Sequence, residues 1–232
     1  MGKIVGIIGG MGPVATVKFI EKLTEMTDAK KDQDHVQYIL YNDPEIPDRI
    51  NAYFYNGESP VNAINNGIKY LESMSIETIG MACNTAHIWF DDFIYKSNFL
   101  NMIDLTADVL RSSKFKNVLL LSTNATVSSG IYTKILDKYN INAIIPDENI
   151  IMKSIHYVKI NDFENARKTI DPEVIKHINE VDALLLACTE MPVIISKDTY
   201  NIPVIDSDEA LAAALIKSAG KKLKDEYAVY NL

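Results

Sequence analysis

The chain has 232 residues, of which 47% are hydrophobic and 23% charged, and its net charge is −8 at pH 7. This length and composition predict a globular protein with a full hydrophobic core, in one domain or two small ones. The negative charge argues against non-specific nucleic-acid binding and against a basic membrane-surface patch. No apolar run has the length of a membrane span, and the N-terminus does not read as a signal peptide. We therefore expect a cytoplasmic protein whose thiols stay reduced.

The first half of the chain predicts a parallel sheet with helices between its strands. Residues 3–8 form an apolar strand, and the turn Gly9-Gly10-Met11-Gly12-Pro13 leads from it into a helix. Residues 37–41 predict a second strand, and helical spacing over residues 60–73 leads into a third strand that ends at Cys83. This alternation is typical of an α/β fold with a helix-covered parallel sheet.

The glycine-rich turn also fits a dinucleotide-binding fingerprint, because residues 10–15 read G-x-G-x-x-A. That fingerprint needs an acidic residue at the end of the second strand, and Asp43 lies too far along the chain. We therefore interpret the turn as a place where the backbone approaches a different ligand closely.

A loop with two prolines, residues 42–50, follows the second strand. Open parallel sheets bind ligands at this end of their strands. Arg49 is thus a candidate to hold a carboxylate through a two-pronged hydrogen bond, and a solvated surface arginine is the open alternative.

The second half of the chain repeats the first. Residues 116–121 echo the opening strand, and the hydroxyl-rich turn 122–130 is either an anion cradle or a helix cap. A helix over 131–139, a strand at 143–145, a long connection through Lys159 and a helix over 171–181 lead to the strand before Cys188. A short strand at 203–206 and a helix over 208–222 close the chain. We expect an internal duplication with two pseudo-symmetric domains, residues 1–105 together with 207–232, and residues 106–206.

Cys83 and Cys188 are the only cysteines, and each follows an alanine at the polar end of an apolar run. Glu77 and Asp182 each lie six residues earlier. A thiol at the start of a helix is favoured as thiolate, whereas a single such cysteine can equally be a small buried hydrophobe. The repetition predicts one site with a cysteine on either side.

Three motifs together resemble the aspartate racemases of the aspartate/glutamate/hydantoin racemase superfamily. They are the glycine-rich turn, Cys83-Asn84-Thr85-Ala86-His87 and Ala187-Cys188-Thr189-Glu190, and the resemblance runs from residue 3 to about 215. It implies two similar α/β domains with the active site in the cleft between them, in most cases a homodimer. It also implies racemisation of an amino acid without pyridoxal phosphate, another cofactor or a metal.

The same resemblance implies roles for individual residues. Cys83 and Cys188 are the expected catalytic pair. The expected substrate-binding residues are Met11, Arg49, Asn84, Thr85, Thr123, Thr126, Lys159, Thr189 and Glu190. Glu190 stands where glutamate racemases carry a histidine, which favours the aspartate branch, whereas Val14 and Ala125 depart from the usual pattern and bear on specificity.

Two thiols suit this chemistry because inversion at Cα removes a proton from one face and delivers one to the other. One cysteine must be thiolate, so we expect the site to lower the pKa of one thiol. A broad-specificity or glutamate racemase, a small-diacid isomerase or decarboxylase, and a non-catalytic amino-acid-binding regulator are the alternatives. A metal shared by His87 and the cysteines has an unusual ligand spacing, and we expect His87 to pack or hydrogen-bond instead.

Overall fold

The computed structural model describes residues 3–230 and contains two four-stranded parallel sheets. The strands of the first sheet are β1 (Val5–Gly9), β2 (Tyr38–Asn42), β3 (Thr78–Met81) and β4 (Asn98–Leu100). Those of the second are β5 (Asn117–Ser122), β6 (Asn142–Ile144), β7 (Ala183–Ala187) and β8 (Val204–Asp206). The strand orders, β2-β1-β3-β4 and β6-β5-β7-β8, correspond position by position. The predicted α/β fold with two similar parallel sheets is confirmed.

Helices connect the strands and cover the sheets. In the first half these are α1 (Pro13–Met26), α2 (Arg49–Phe54), α3 (Val61–Ser73) and α4 (Met102–Ser113). In the second half they are α5 (Asn124–Ser129), α6 (Thr133–Lys138), α7 (Glu148–Lys159), α8 (Phe163–His177), α9 (Met191–Ile194) and α10 (Ser207–Ser218). Short 3-10 helices cover Asp32–Asp34, Thr85–Asp92 and Asp225–Tyr230. Within residues 3–230, no helix is long and apolar enough to cross a membrane.

The central strands are buried along almost their whole length, as strands covered by helices on both faces require. One apolar cluster runs from β1 and α1 through α4 and α10 to β5 and β7, so the two halves share part of their core. Helix α10 packs on α1, α4 and β3, which returns the end of the chain to the first half.

Several predicted elements differ from the structure. The predicted connection before Lys159 is wrong, because this segment is helix α7, capped by Asp147 and buried through Ile151, Ile155 and Val158. Helix α8 begins at Phe163 rather than at residue 171, because Asp162 supplies its N-cap, and Pro172 lies inside the helix. Helix α10 ends at Ser218 rather than at residue 222.

Strand β4 and helix α4 were not predicted, since β4 has only three residues and carries no clear period. Asn101 begins α4 by accepting hydrogen bonds from the N–H groups of Ile103 and Asp104. The predicted domain boundary at residue 105 lies inside this helix. In the hydroxyl-rich turn, Thr123 caps α5 by accepting a hydrogen bond from the N–H of Thr126 at 3.2 Å, so this turn does serve as a helix cap.

Candidate active site

The carboxyl ends of β1, β3, β5 and β7 surround a small cavity of about 20 Å³. Every predicted site residue except Thr126 lines it, and sequence reasoning missed two lining residues, Asp48 and Ile50. The full lining is Met11, Asp48, Arg49, Ile50, Cys83, Asn84, Thr85, Thr123, Lys159, Cys188, Thr189 and Glu190. Residues from both halves of the chain therefore meet at one place.

The two cysteines reach the cavity from equivalent strands. Cys83 follows β3 by two residues and Cys188 follows β7 directly. Parallel pairing aligns β3 with β1 and β7 with β5, which brings the strand ends to corresponding edges of the two sheets. Both cysteines are free thiols, only 4% and 3% exposed. A buried pair of thiols in one cavity is an arrangement suited to proton transfer on either side of a small substrate.

The Cys188 thiol is held by a carboxylate. Its Sγ donates a hydrogen bond to Oε2 of Glu190 at 3.0 Å, and the hydroxyl of Thr189 approaches the same oxygen at 3.4 Å. Burial raises the pKa of Cys188 well above its ordinary value, and the negative charge of Glu190 raises this pKa further. Cys188 is therefore a proton donor in this arrangement.

Cys83 has a different electrostatic environment. Burial raises its pKa, but the charge of Arg49, the N–H of Ala86 and the charge of Lys159 all act to lower it, against an opposing contribution from Glu190. The expectation of a thiol with a lowered pKa is wrong, because desolvation of Cys83 outweighs the effect of the nearby cations. The cations do make Cys83 the thiol that ionises more readily.

Arg49 begins α2 and is anchored to its own loop. Its Nη1 donates to the backbone carbonyls of Ile46 at 3.0 Å and Pro47 at 2.8 Å, and Asp48 caps the helix. The side chain is half-buried and lines the cavity, which favours the ligand-binding interpretation over a solvated surface arginine.

Three threonine hydroxyls form a closed triangle beside Asn84. Thr85 lies 2.9 Å from Thr123 and 3.1 Å from Thr126, and the last two are 2.9 Å apart, measured between Oγ1 atoms. Thr126 thus supports the two lining threonines from behind and does not itself reach the cavity.

His87 is a structural residue. Its Nε2 accepts a hydrogen bond from the N–H of Met102 at 3.2 Å, so Nδ1 carries the proton and donates to the carbonyl of Cys83 at 2.8 Å. Burial lowers its pKa to about 4. The expectation that His87 hydrogen-bonds is confirmed, and neither ring nitrogen is available to a metal. Among residues 3–230, no group of three or more His, Cys, Asp or Glu side chains is placed to hold a metal ion.

A larger pocket of about 440 Å³ adjoins the small cavity. The turn after β1 and the loop of residues 44–49 form its walls, and it shares Asp48, Arg49, Lys159 and Glu190 with the cavity. This pocket is open to solvent on the side of the cavity where Arg49 and Lys159 lie.

Two residues that contact the site gave little signal in the sequence. Tyr132 and Ser207 both hydrogen-bond the side chain of Asn84. Ser207 lies just past a predicted strand, where a polar residue could have been suspected, whereas Tyr132 stands in a predicted helix with nothing to single it out.

Residues 8–215 of the chain match the Asp/Glu/hydantoin racemase family. The chain belongs to this family. Among solved structures, the aspartate racemase of Picrophilus torridus is 80% identical, with full coverage of both chains and a TM-score of 0.99. An aspartate racemase homologue from Pyrococcus horikoshii OT3 is 26% identical, covers 95% of this chain and 100% of its own, and has a TM-score of 0.75.

A broad-specificity amino-acid racemase from Bacillus subtilis strain 168 is 25% identical over 233 residues, which cover 93% of this chain and 97% of that relative. The family prediction drawn from the paired cysteine motifs is thus confirmed.

Proposed function

We propose that the protein is an aspartate racemase that interconverts L- and D-aspartate with Cys83 and Cys188 as its two proton-transferring groups. The observation that carries this proposal is the pair of buried free thiols, from equivalent strands of two similar sheets, that line one cavity together with Arg49 and Lys159. The Picrophilus torridus relative, an aspartate racemase 80% identical over the whole chain, supports the substrate.

In the mechanism, the thiolate of Cys83 removes the proton from Cα, so that the Cα–H bond breaks and an S–H bond forms. Cys188 delivers its own proton to the opposite face of Cα and becomes the thiolate. The reverse reaction exchanges the two roles. Glu190 supports this division because its carboxylate accepts a hydrogen bond from the Cys188 thiol, with 3.0 Å between Sγ and Oε2, while Arg49 and Lys159 favour ionisation of Cys83.

The Cα proton is weakly acidic, so the site must stabilise the negative charge that develops as this proton leaves. Cations and hydrogen-bond donors fixed around a carboxylate serve this purpose in a water-excluded site. We assign Arg49 and Lys159 to the carboxylates of the substrate. The lining side chains Met11, Asn84, Thr85, Thr123, Thr189 and Glu190 complete the binding surface, and Thr126 positions the two lining threonines. In the proposed reaction Cys83 and Cys188 transfer the protons, and neither pyridoxal phosphate nor a metal takes part.

The proposal extends to assembly and organisation. We propose a cytoplasmic homodimer, and two domains that comprise residues 1–105 with 207–232, and residues 106–206. Packing of α10 on α1 and β3 supports the assignment of the C-terminal segment to the first domain. Sedimentation equilibrium of the purified protein tests the dimer, and a mass equal to the 26.0 kDa chain would contradict it.

The test of function is incubation of the purified protein with L-aspartate in deuterated water, without pyridoxal phosphate and with a chelator present. We expect D-aspartate that carries deuterium at Cα. Cys83→Ala and Cys188→Ala should each abolish racemisation while the unfolding midpoint stays close to that of the wild type, because each removes one of two required proton carriers. Full racemisation by either variant would refute the two-base mechanism.

A broad-specificity racemase is the second candidate, favoured by the Bacillus subtilis relative that covers nearly the whole chain. Chiral chromatography over a panel of amino acids that includes glutamate decides between the two. Comparable kcat/KM for aspartate and for apolar amino acids would favour the broad range. Products other than an enantiomer would point to the isomerase or decarboxylase alternatives.

A further inference from the structure

Asn84 is held from two sides by residues outside the cavity. Its side chain is buried, and the hydroxyl of Tyr132 donates to its Oδ1 at 2.5 Å. Its Nδ2 donates to the hydroxyl oxygen of Ser207 at 2.9 Å. Tyr132 lies between α5 and α6 and is fully buried, while Ser207 is the first residue of α10. Three distant segments of the chain therefore meet at one amide beside Cys83.

The hydrogen-bond directions in this network follow from the backbone. Ser207 donates its single hydrogen to the carbonyl of Leu186 at 2.8 Å, so its oxygen can only accept from Asn84. The Asn84 atom that faces Ser207 must then be the nitrogen, which places Oδ1 against Tyr132 and makes the tyrosine the donor. Burial raises the pKa of Tyr132, against the opposing effect of hydrogen bonds of its hydroxyl with Thr106 and Ser207, and so keeps that hydroxyl protonated.

One hydrogen-bond donor of the Asn84 amide remains for a ligand. The amide oxygen is engaged by Tyr132 and one amide hydrogen by Ser207, whereas the second hydrogen has no partner among residues 3–230. Asn84 also lines the cavity between the cysteines. Its unpaired donor is therefore an N–H, which suits a carboxylate.

We propose that Tyr132 and Ser207 are positioning residues that fix the amide of Asn84 so that its remaining N–H donates to the carboxylate on the reacting carbon. This inference rests on the proposed racemase function. Asn84 follows Cys83 directly in the chain, so its amide stands next to the group that removes the Cα proton. Negative charge moves from Cα into that carboxylate as the proton leaves, and the hydrogen bond from Asn84 strengthens at that moment.

Without Tyr132 or Ser207 the amide can rotate and present its oxygen to the substrate, which repels a carboxylate. The principal loss then falls on the chemical step rather than on substrate binding. Tyr132→Phe should lower kcat for L-aspartate roughly five- to tenfold, the usual effect of one hydrogen bond, with a smaller change in KM. Ser207→Ala should act in the same direction, because it removes the acceptor that selects Nδ2.

Tyr200→Phe is the matched control, since it deletes a tyrosine hydroxyl that bonds to Asp171, outside the residues that line the cavity. Its kcat should equal that of the wild type. Unfolding midpoints of all three variants separate a loss of fold from a loss of positioning, and Ser207→Ala decides the question if Tyr132→Phe does not fold.

A spectroscopic readout does not depend on turnover. The side-chain N–H resonances of Asn84, identified by their disappearance in Asn84→Asp, should shift when succinate binds to the wild-type protein, and the shift should be lost in Tyr132→Phe. An active wild type with unchanged kcat and an unchanged Asn84 response in both positioning variants would overturn the inference. A wild type that does not racemise aspartate would instead refute the proposed function. The shift of the Asn84 resonances with succinate, compared between wild type and Tyr132→Phe, would still test the positioning role.

Discussion

At the scale of single residues, His87 links the turn of Cys83 to the start of α4 and does so only as a neutral ring. Nε2 accepts from the N–H of Met102 and Nδ1 donates to the carbonyl of Cys83, so a second ring proton would break the bond to Met102. The ring also stacks on Phe90, with 5.6 Å between centroids. Burial lowers its pKa from 6.5 to about 4, against the opposing effect of backbone hydrogen bonds with Cys83 and Leu100.

This lowered pKa predicts a pH-dependent stability. Below pH 6.5 the unfolded chain binds a proton at His87 that the folded chain refuses, so stability is fully present above pH 6.5 and falls as the pH drops towards 4. The loss over that interval is about 3 kcal/mol of unfolding free energy. Urea unfolding of wild type and His87→Asn between pH 4 and 8 measures it. The wild type should lose stability more steeply than the variant as the pH falls. Both proteins have the same carboxylates, so the difference between the two curves is due to His87. Parallel curves would contradict the neutral, buried role of His87.

At the scale of elements, the turn after β1 is packed against the loop that carries Arg49. Gly10 has φ +98°, and a Cβ there would lie 2.3 Å from the backbone oxygen of Asp43. Gly10→Ala must therefore displace that loop in addition to straining the backbone. We expect a loss of about 2 to 3 kcal/mol in unfolding free energy, and a fall in kcat/KM of roughly tenfold or more from misplacement of Arg49.

Gly220→Ala is the matched comparison for this element. Gly220 also has a positive φ, +71°, but nothing lies within 4 Å of an added Cβ. Gly220→Ala should lower the unfolding free energy by only about 1 kcal/mol, from backbone strain alone, and leave kcat/KM unchanged. Equal effects of the two substitutions in denaturant unfolding and racemase assays would show that contact with Asp43 is unimportant.

The elements also show what the sequence could predict. Apolar runs that end in small polar residues predicted the central strands. The repeated Ala-Cys motif predicted that both thiols belong to one site, and both line one cavity. Helix α8 was placed too late because Pro172 favours a helix start, whereas the true cap is Asp162. Tyr132 could not be predicted, because its role depends on a tertiary contact with Asn84 that leaves no periodic pattern. The raised thiol pKa values also depend on burial, which no local pattern reveals.

At the scale of the whole molecule, the cavity between the cysteines must open before a substrate can enter. Its volume of about 20 Å³ is close to the minimum for a single water molecule, and a dicarboxylic amino acid is several times larger. Two motions could open it, a separation of the two sheets or a displacement of the loop of residues 43–50. The sheets share a continuous apolar cluster, and hydrogen bonds between Tyr132 and Asn84 and between Thr85 and Thr123 join the two halves.

The loop is held less firmly. Of residues 43–50, Ile46 alone is buried. Arg49 hydrogen-bonds to carbonyls of the loop itself, and the loop borders the larger pocket that is open to solvent. Displacement of the loop therefore costs fewer buried contacts than separation of the sheets, and we expect it to admit the substrate. Hydrogen exchange with and without saturating succinate tests this expectation, because a bound dicarboxylate that engages Arg49 should slow exchange in residues 43–50. Exchange in α3 and α8, which do not line the cavity, should stay the same. Protection that appears along β5 and β7 instead, with none in the loop, would show that the two sheets separate to open the site.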